Sequence, residues 1–167
     1  MTVRRARAAD WDAILDVHRI AFGGEDVPRL CVELRAEGLV VPSLSLVAVE
    51  DDRVIGHVMC SRVGLEGSNR RPLQLSPLGV LPERQRRGVG SALVRETLER
   101  VGALGEPLLL VEGSPDYYGR FGFVRADELG LLPPPEALYD WAFQMAVLDE
   151  TAELPCGQVV YPGPFRH

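Results

Sequence analysis

The chain has 167 residues, 18 basic side chains that are all Arg, 24 acids and a formal net charge of −6. The length suits a single domain, residues 1–167, with a real core, and 46% hydrophobic with 25% charged residues is the composition of a folded globular chain. Without Lys there is no Walker-type phosphate loop, no Schiff-base lysine and no kinase-type lysine.

Residues 2–7 read as a first strand. Asp10 then stands where a helix N-cap belongs, followed by Trp11, Ile14, Leu15, His18 and Phe22 at helical spacing. Gly23-Gly24 ends that helix. A second begins near Pro28, which suits a first turn, and buries Leu30, Cys31 and Leu34. Residues 44–49 and 54–62 are β-rich and read as a hairpin joined across Glu50-Asp51-Asp52-Arg53. Residues 73–80 form another strand, closed by Leu81-Pro82.

From Gly88 a helix carries Val89, Leu93, Leu98, Val101 and Leu104 on one side, and Gly105 stops it. Residues 108–111 are an apolar run typical of a buried central strand. Pro115 opens a short helical turn through Tyr118, Phe121-Gly122-Phe123-Val124 leads into the next strand, and residues 141–148 alternate as a late strand. The order β-α-α-β-β-β-α-β-α-β-β predicts an α/β domain with a mixed sheet.

Cys31, Cys60 and Cys156 are scattered, which fits reduced thiols and a cytoplasmic chain better than a disulfide framework or a zinc site. The first ten residues hold three Arg and no apolar run, so they are not a signal peptide, and no stretch is apolar enough to span a membrane. With no His/Cys/acid cluster, no metal site is expected.

The charge is uneven. Residues 70–100 hold seven Arg against three Glu, a local balance of +4, whereas the remainder sums to −10. A basic island in an acidic chain suggests one local anionic ligand, not a nucleic-acid face. At its centre lies Gln85-Arg86-Arg87-Gly88-Val89-Gly90-Ser91, between a strand and an amphipathic helix. Gly88 and Gly90 permit a tight turn and close backbone approach. The opening N–H groups of the helix lack intrahelical partners at the positive end of its dipole, and Arg84, Arg86 and Arg87 can grip phosphate oxygens. This is not the dinucleotide fingerprint, because its third Gly would fall at Leu93.

Gln85-x-x-Gly88-x-Gly90, after a strand ending Leu78-Gly79-Val80, resembles the acetyl-coenzyme A signature of the GNAT superfamily of N-acetyltransferases. Tyr117-Tyr118-Gly119-Arg120-Phe121-Gly122-Phe123 resembles a second segment of the same superfamily. Residues 46–61, 76–93, 114–123 and 157–165 look like a bacterial branch of predicted acetyltransferases of unassigned substrate. The resemblance implies a mostly antiparallel central sheet flanked by helices. It also implies acetyl-coenzyme A as cofactor and direct attack of a primary amine within a ternary complex. By the same resemblance the main chain of Leu78, Gly79 and Val80 would hold the pantetheine arm, with one N–H polarising the thioester carbonyl. Gln85, Arg86, Arg87, Gly88, Val89, Gly90 and Ser91 would wrap the pyrophosphate. Tyr118 matches the Tyr that protonates the departing thiolate, and Tyr117 takes the packing position.

The attacking amine must lose a proton, yet residues 73–78 lack the Glu that many members carry there. Glu112, Glu25, Asp26, His57 or a water remain as acceptors of that proton. Ser114 stands where relatives of this branch often have Asp. His18 reads as a buried, hydrogen-bonded side chain. The acceptor, a small-molecule or peptide amine, is expected between residues 23–27 and 129–141, whose acids favour a cationic amine. A homodimer fits the habits of such relatives. The missing strand carboxylate leaves a second reading open, a non-catalytic acyl-coenzyme A sensor or interaction module.

Overall fold

The structure is a computed structural model, described over residues 1–166. The chain groups into two compact units. One comprises Met1–Cys60 with Ser76–Glu99, the other Ser61–Leu75 with the chain from Arg100 onward.

In the first unit β1 (Thr2–Arg5) pairs antiparallel with β2 (Leu46–Glu50), and β2 with β3 (Arg53–Arg62). The expected β2–β3 hairpin forms. Asp51 and Asp52 both take left-handed φ values, 49° and 59°, the conformation a two-residue hairpin turn needs and Asp tolerates. The strand order in this unit is β1-β2-β3-β5, β5 being Leu73–Val80. Against these strands belong α1 (Trp11–Phe22), α2 (Asp26–Ala36) and most of α3 (Val89–Ala103). Residues 54–60 of β3 are all buried, as befits a strand covered on both faces. Gly56 lets α3 close on it, because a Cβ there would lie 3.0 Å from Val89 Cγ1 and 3.1 Å from Leu93 Cδ1.

In the second unit β5 and β6 (Leu108–Glu112) are parallel, whereas β6–β9 and β7–β9 are antiparallel, with β7 Val124–Arg125 and β9 Phe143–Val147. The central sheet is therefore mixed and mostly antiparallel, as expected. Between β6 and β7 lies α4 (Pro115–Tyr118). β4 (Gly64–Leu65), β10 (Gly157–Val160) and β8 (Leu131–Leu132) form a separate small sheet. The core here gathers Leu65, Leu110, Phe143, Met145, Val159 and Tyr161. No helix among the described residues is long and apolar enough to cross a membrane.

Several local expectations shift. Asp10 precedes α1 but its side chain does not cap the helix. Its carboxylate instead takes Arg4 Nη1 and Nη2 at 2.7 and 3.0 Å and the Arg7 N–H at 2.7 Å, because a bidentate guanidinium out-competes a lone amide. Phe22 and Leu104 sit at helix ends and are about half exposed (51% and 54%). Val94 and Thr97, not Leu98, complete the buried face of α3 with Val89, Leu93 and Val101.

Candidate active site

The expected cofactor-binding residues lie together in the first unit. The parallel ladder between β5 and β6 consists of Gln74↔Leu110 and Leu75↔Val111, so β5 runs on through Leu78, Gly79 and Val80 beyond it. Leu81 N–H then ties the strand end to Ile55 O (2.9 Å). Gln85 Nε2 reaches back to Val80 O (3.0 Å), which brings the strand end and the turn together. Arg86 has φ 59° and Gly88 φ 83°. No atom lies within 4 Å of the position a Cβ on Gly88 would take, so the backbone is open on that side. The first helical bond of α3 runs from Ala92 N–H to Gly88 O (3.0 Å). The N–H groups of Val89, Gly90 and Ser91 therefore precede the ladder, at the positive end of a helix of 15 residues.

Of the three arginines expected to add charge here, Arg84 is turned to Glu50 Oε2 (2.7 Å). Arg86 and Arg87 are exposed and have no ion-pair partner among the described residues. The turn is thus open on one side, left-handed at Arg86 and Gly88, and bordered by two exposed cations.

Behind Gly79 lies a buried polar chain. Ser45 Oγ is 2.9 Å from His57 Nε2, and His57 Nδ1 is 2.8 Å from His18 Nε2. His18 Nδ1 is buried, makes no hydrogen bond, and faces the Gly79 α-carbon: a Cβ on Gly79 would lie 2.6 Å from it. Burial pushes the His18 imidazole down to about 4 and holds His57 well below the ordinary histidine range, so both are neutral at pH 7. Gly79→Ala should cost about 1–3 kcal/mol of stability by overpacking. Gly79→Ala combined with His18→Ala should recover part of that loss, a comparison that urea denaturation of the two proteins makes directly.

The catalytic candidates lie in the second unit, at the end of β6. Glu112 closes that strand, opposite Phe143. Its Oε2 accepts from Tyr161 Oη (2.8 Å) and its Oε1 from the Leu138 N–H (3.2 Å). Tyr161 Oη in turn accepts from Gln74 Nε2 (2.8 Å). The next residue, Gly113, makes room for Tyr118: a Cβ there would lie 2.5 Å from Tyr118 Cε2. The Tyr118 ring meets Tyr117 and Phe123 edge-on, at centroid distances of 5.0 and 5.6 Å. Burial, with Tyr117 beside it, pushes the Tyr118 phenol well above the ordinary tyrosine value, so it stays protonated and able to donate.

The other expected proton acceptors are placed differently. His57 is fully buried with both ring nitrogens engaged, so it presents none to an incoming amine. Glu25 is exposed and paired with Arg19, and Asp26 with Arg29. Sequence reasoning missed Leu138 and Tyr161 as the partners of Glu112, and Gln74 as the donor to Tyr161. The signal available was a Gln between Leu73 and Leu75 and a Tyr in the tail, both residue types that seek a partner when buried.

Comparison with known proteins gives the family. The family model described as "Acetyltransferase (GNAT) domain" matches residues 2–126. The chain belongs to the GNAT acetyltransferase family. It is 34% identical over 117 residues to the uncharacterized N-acetyltransferase YjhQ of Escherichia coli K12, a match covering 69% of this chain and 65% of that protein. It is 33% identical over 116 residues to the uncharacterized N-acetyltransferase YhbS of the same organism, covering 69% and 66%. The chain thus spans just under two thirds of the length of these relatives. Its structure superposes on the crystal structure of E. coli YhbS in complex with CoA with a TM-score of 0.90, at 29% identity, over 99% of this chain and 92% of that one. A GNAT family acetyltransferase from Brucella melitensis in complex with acetyl-CoA gives 0.80 at 30% identity, over 98% and 97%.

Proposed function

We propose that this chain acts as a single N-acetyltransferase domain that uses acetyl-coenzyme A to acetylate a primary amine. The observation that carries the proposal is the open turn at Gln85–Gly88, one short 3-10 turn after a strand whose parallel ladder has ended and directly before the first turn of α3. Two structurally similar family members are crystallised with CoA and acetyl-CoA, which supports the same cofactor here. Coenzyme A, when bound, supplies the thioester from which the acetyl group leaves.

The chain's own residues supply the rest. The main chain of Leu78, Gly79 and Val80 holds the pantetheine arm and offers a fixed N–H donor for developing negative charge. Gln85, Arg86, Arg87, Gly88, Val89, Gly90 and Ser91 hold the pyrophosphate. Tyr118, whose Oη stays protonated, would be the proton donor for the leaving thiolate. Glu112 takes the proton of the attacking amine, its carboxylate held in place by Tyr161 and Leu138. A carboxylate has about four lone-pair sites, so these two bonds leave acceptor capacity free.

The test is a coenzyme A thermal-shift series alongside a thiol-release assay over small amines and peptides. A ligand at a hundred times its Kd should add about 2.7 kcal/mol of stability. Stabilisation without turnover on any amine would favour the sensor reading instead. Gly88→Val, which forces a β-branched residue to φ 83° and fills the open side of the turn, should weaken coenzyme A binding about tenfold or more. Calorimetric titration reads that loss.

A further inference from the structure

A cavity of about 490 Å³ opens in the first unit, away from the turn and strand end assigned to coenzyme A. Arg5, Arg7 and Arg35 line it, and no carboxylate does. Its walls include Trp11, Ile14 and Met59, and Ser45 stands among them. The three guanidiniums have no ion-pair partner among the described residues. Arg4, between Arg5 and Val3 on β1, is turned instead to Asp10, as strand alternation requires. Arg35 lies over the Trp11 ring, 4.4 Å from its centroid, so a fixed cation borders an aromatic wall. In a chain of net charge −6, an apolar cavity bordered by three cations, none of them in an ion pair among the described residues, is complementary to an organic anion with an apolar body.

The polar chain behind Gly79 reaches this cavity. A bare lone pair on His18 Nδ1 tolerates the facing Gly79 Cα–H, whereas an N–H there would be a buried donor with no acceptor. His18 therefore carries its proton on Nε2 and donates to His57 Nδ1. His57 then carries its own on Nε2 and donates to Ser45 Oγ. That direction leaves the Ser45 O–H free to donate into the cavity.

We propose that this cavity is an effector site for a small aromatic carboxylate, whose head takes Arg7, Arg35 and the Ser45 hydroxyl, and that Ser45, His57 and His18 couple its occupancy to the cofactor strand at Gly79. The coupling rests on the assignment of Gly79 to the cofactor; the site itself does not. A carboxylate fixing the Ser45 hydroxyl strengthens a hydrogen-bond chain that ends against the Gly79 main chain. Coenzyme A affinity and probe affinity then shift by the same factor, as linkage demands.

Calorimetry on the intact protein tests this with three probes: 4-phenylbutyrate, 4-phenylbutylamine and inorganic phosphate. Only 4-phenylbutyrate should bind, and Arg7→Gln with Arg35→Gln, both at exposed positions, should weaken it about tenfold. Saturating 4-phenylbutyrate should change the coenzyme A Kd by about threefold or more. Ser45→Ala should abolish that change and Ser45→Thr should keep it. No binding of 4-phenylbutyrate, equal binding of the amine or of phosphate, or insensitivity to the two Arg substitutions overturns the site. An unchanged coenzyme A Kd overturns the coupling. Coenzyme A failing to bind the protein without any probe overturns the cofactor assignment, in a titration that involves no probe at all.

Discussion

Tyr118→Phe should lower kcat by about 10²- to 10⁴-fold, the range general acid catalysis commands, while the coenzyme A Kd and the urea midpoint stay near those of the parent protein. The substitution removes one oxygen and keeps the ring that packs against Tyr117, Phe123 and Gly113. The Tyr118 hydroxyl makes no hydrogen bond among the described residues, so its loss strands no buried partner. Because burial raises the phenol above its ordinary value, the parent rate should also show no downturn near pH 10 from this residue. Full rate in the Phe variant on an accepted amine would remove Tyr118 from the acid role. A loss of folding in place of rate would show that it serves the core alone.

The second large effect is loss of stability in acid. His18 has an ordinary value of 6.5 when unfolded and about 4 when folded, through burial, so between those values the unfolded chain binds the extra proton. Stability is then complete above about pH 6.5 and falls as pH drops toward 4, by roughly 3 kcal/mol for His18. His57, lowered by burial and by His18 beside it, acts in the same direction. Asp10 follows the carboxylate pattern: its hydrogen bonds from Arg4 hold it below 3.8, so its contribution persists to lower pH and is lost only as pH falls through that lowered value. Urea midpoints at pH 7.5, 5.5 and 4.5 should decline stepwise. Equal midpoints over that range would mean that the two imidazoles are not held neutral by the fold.

Much of this was legible in the residues. The Asp51-Asp52 turn, the apolar run of β6 and the Gly88 turn each follow from local chemistry, and local chemistry is what a sequence displays. The second sheet was not legible. β4 and β8 have two residues each, too few for any period to appear, and they exist because β10 pairs with both. The partners of Glu112 were hidden for a related reason: Leu138 and Tyr161 meet it, and Gln74 meets Tyr161, across long stretches of chain. His18 was correctly read as buried, but its link to His57, 39 residues away, had no counterpart in either helical or strand spacing. Arg84 shows the opposite error. Its place beside the turn suggested phosphate, yet Glu50 across the neighbouring strand claims it.

The bond between Tyr161 and Glu112 spans 49 residues, and this sets an order of events during synthesis. A nascent chain that has emerged only through α4 already contains the glycine turn, Tyr118 and Glu112, but nothing yet restrains the Glu112 carboxylate from that side. The Leu138 N–H reaches one oxygen earlier in the chain, and the second partner is acquired only when β10 has been made and Tyr161 follows it into the core. A ribosome-bound chain stalled before residue 161 would thus hold every residue proposed for the cofactor while Glu112, the proposed proton acceptor, still lacks its Tyr161 partner, so the full hydrogen-bond setting of that carboxylate waits until residue 161 has been made.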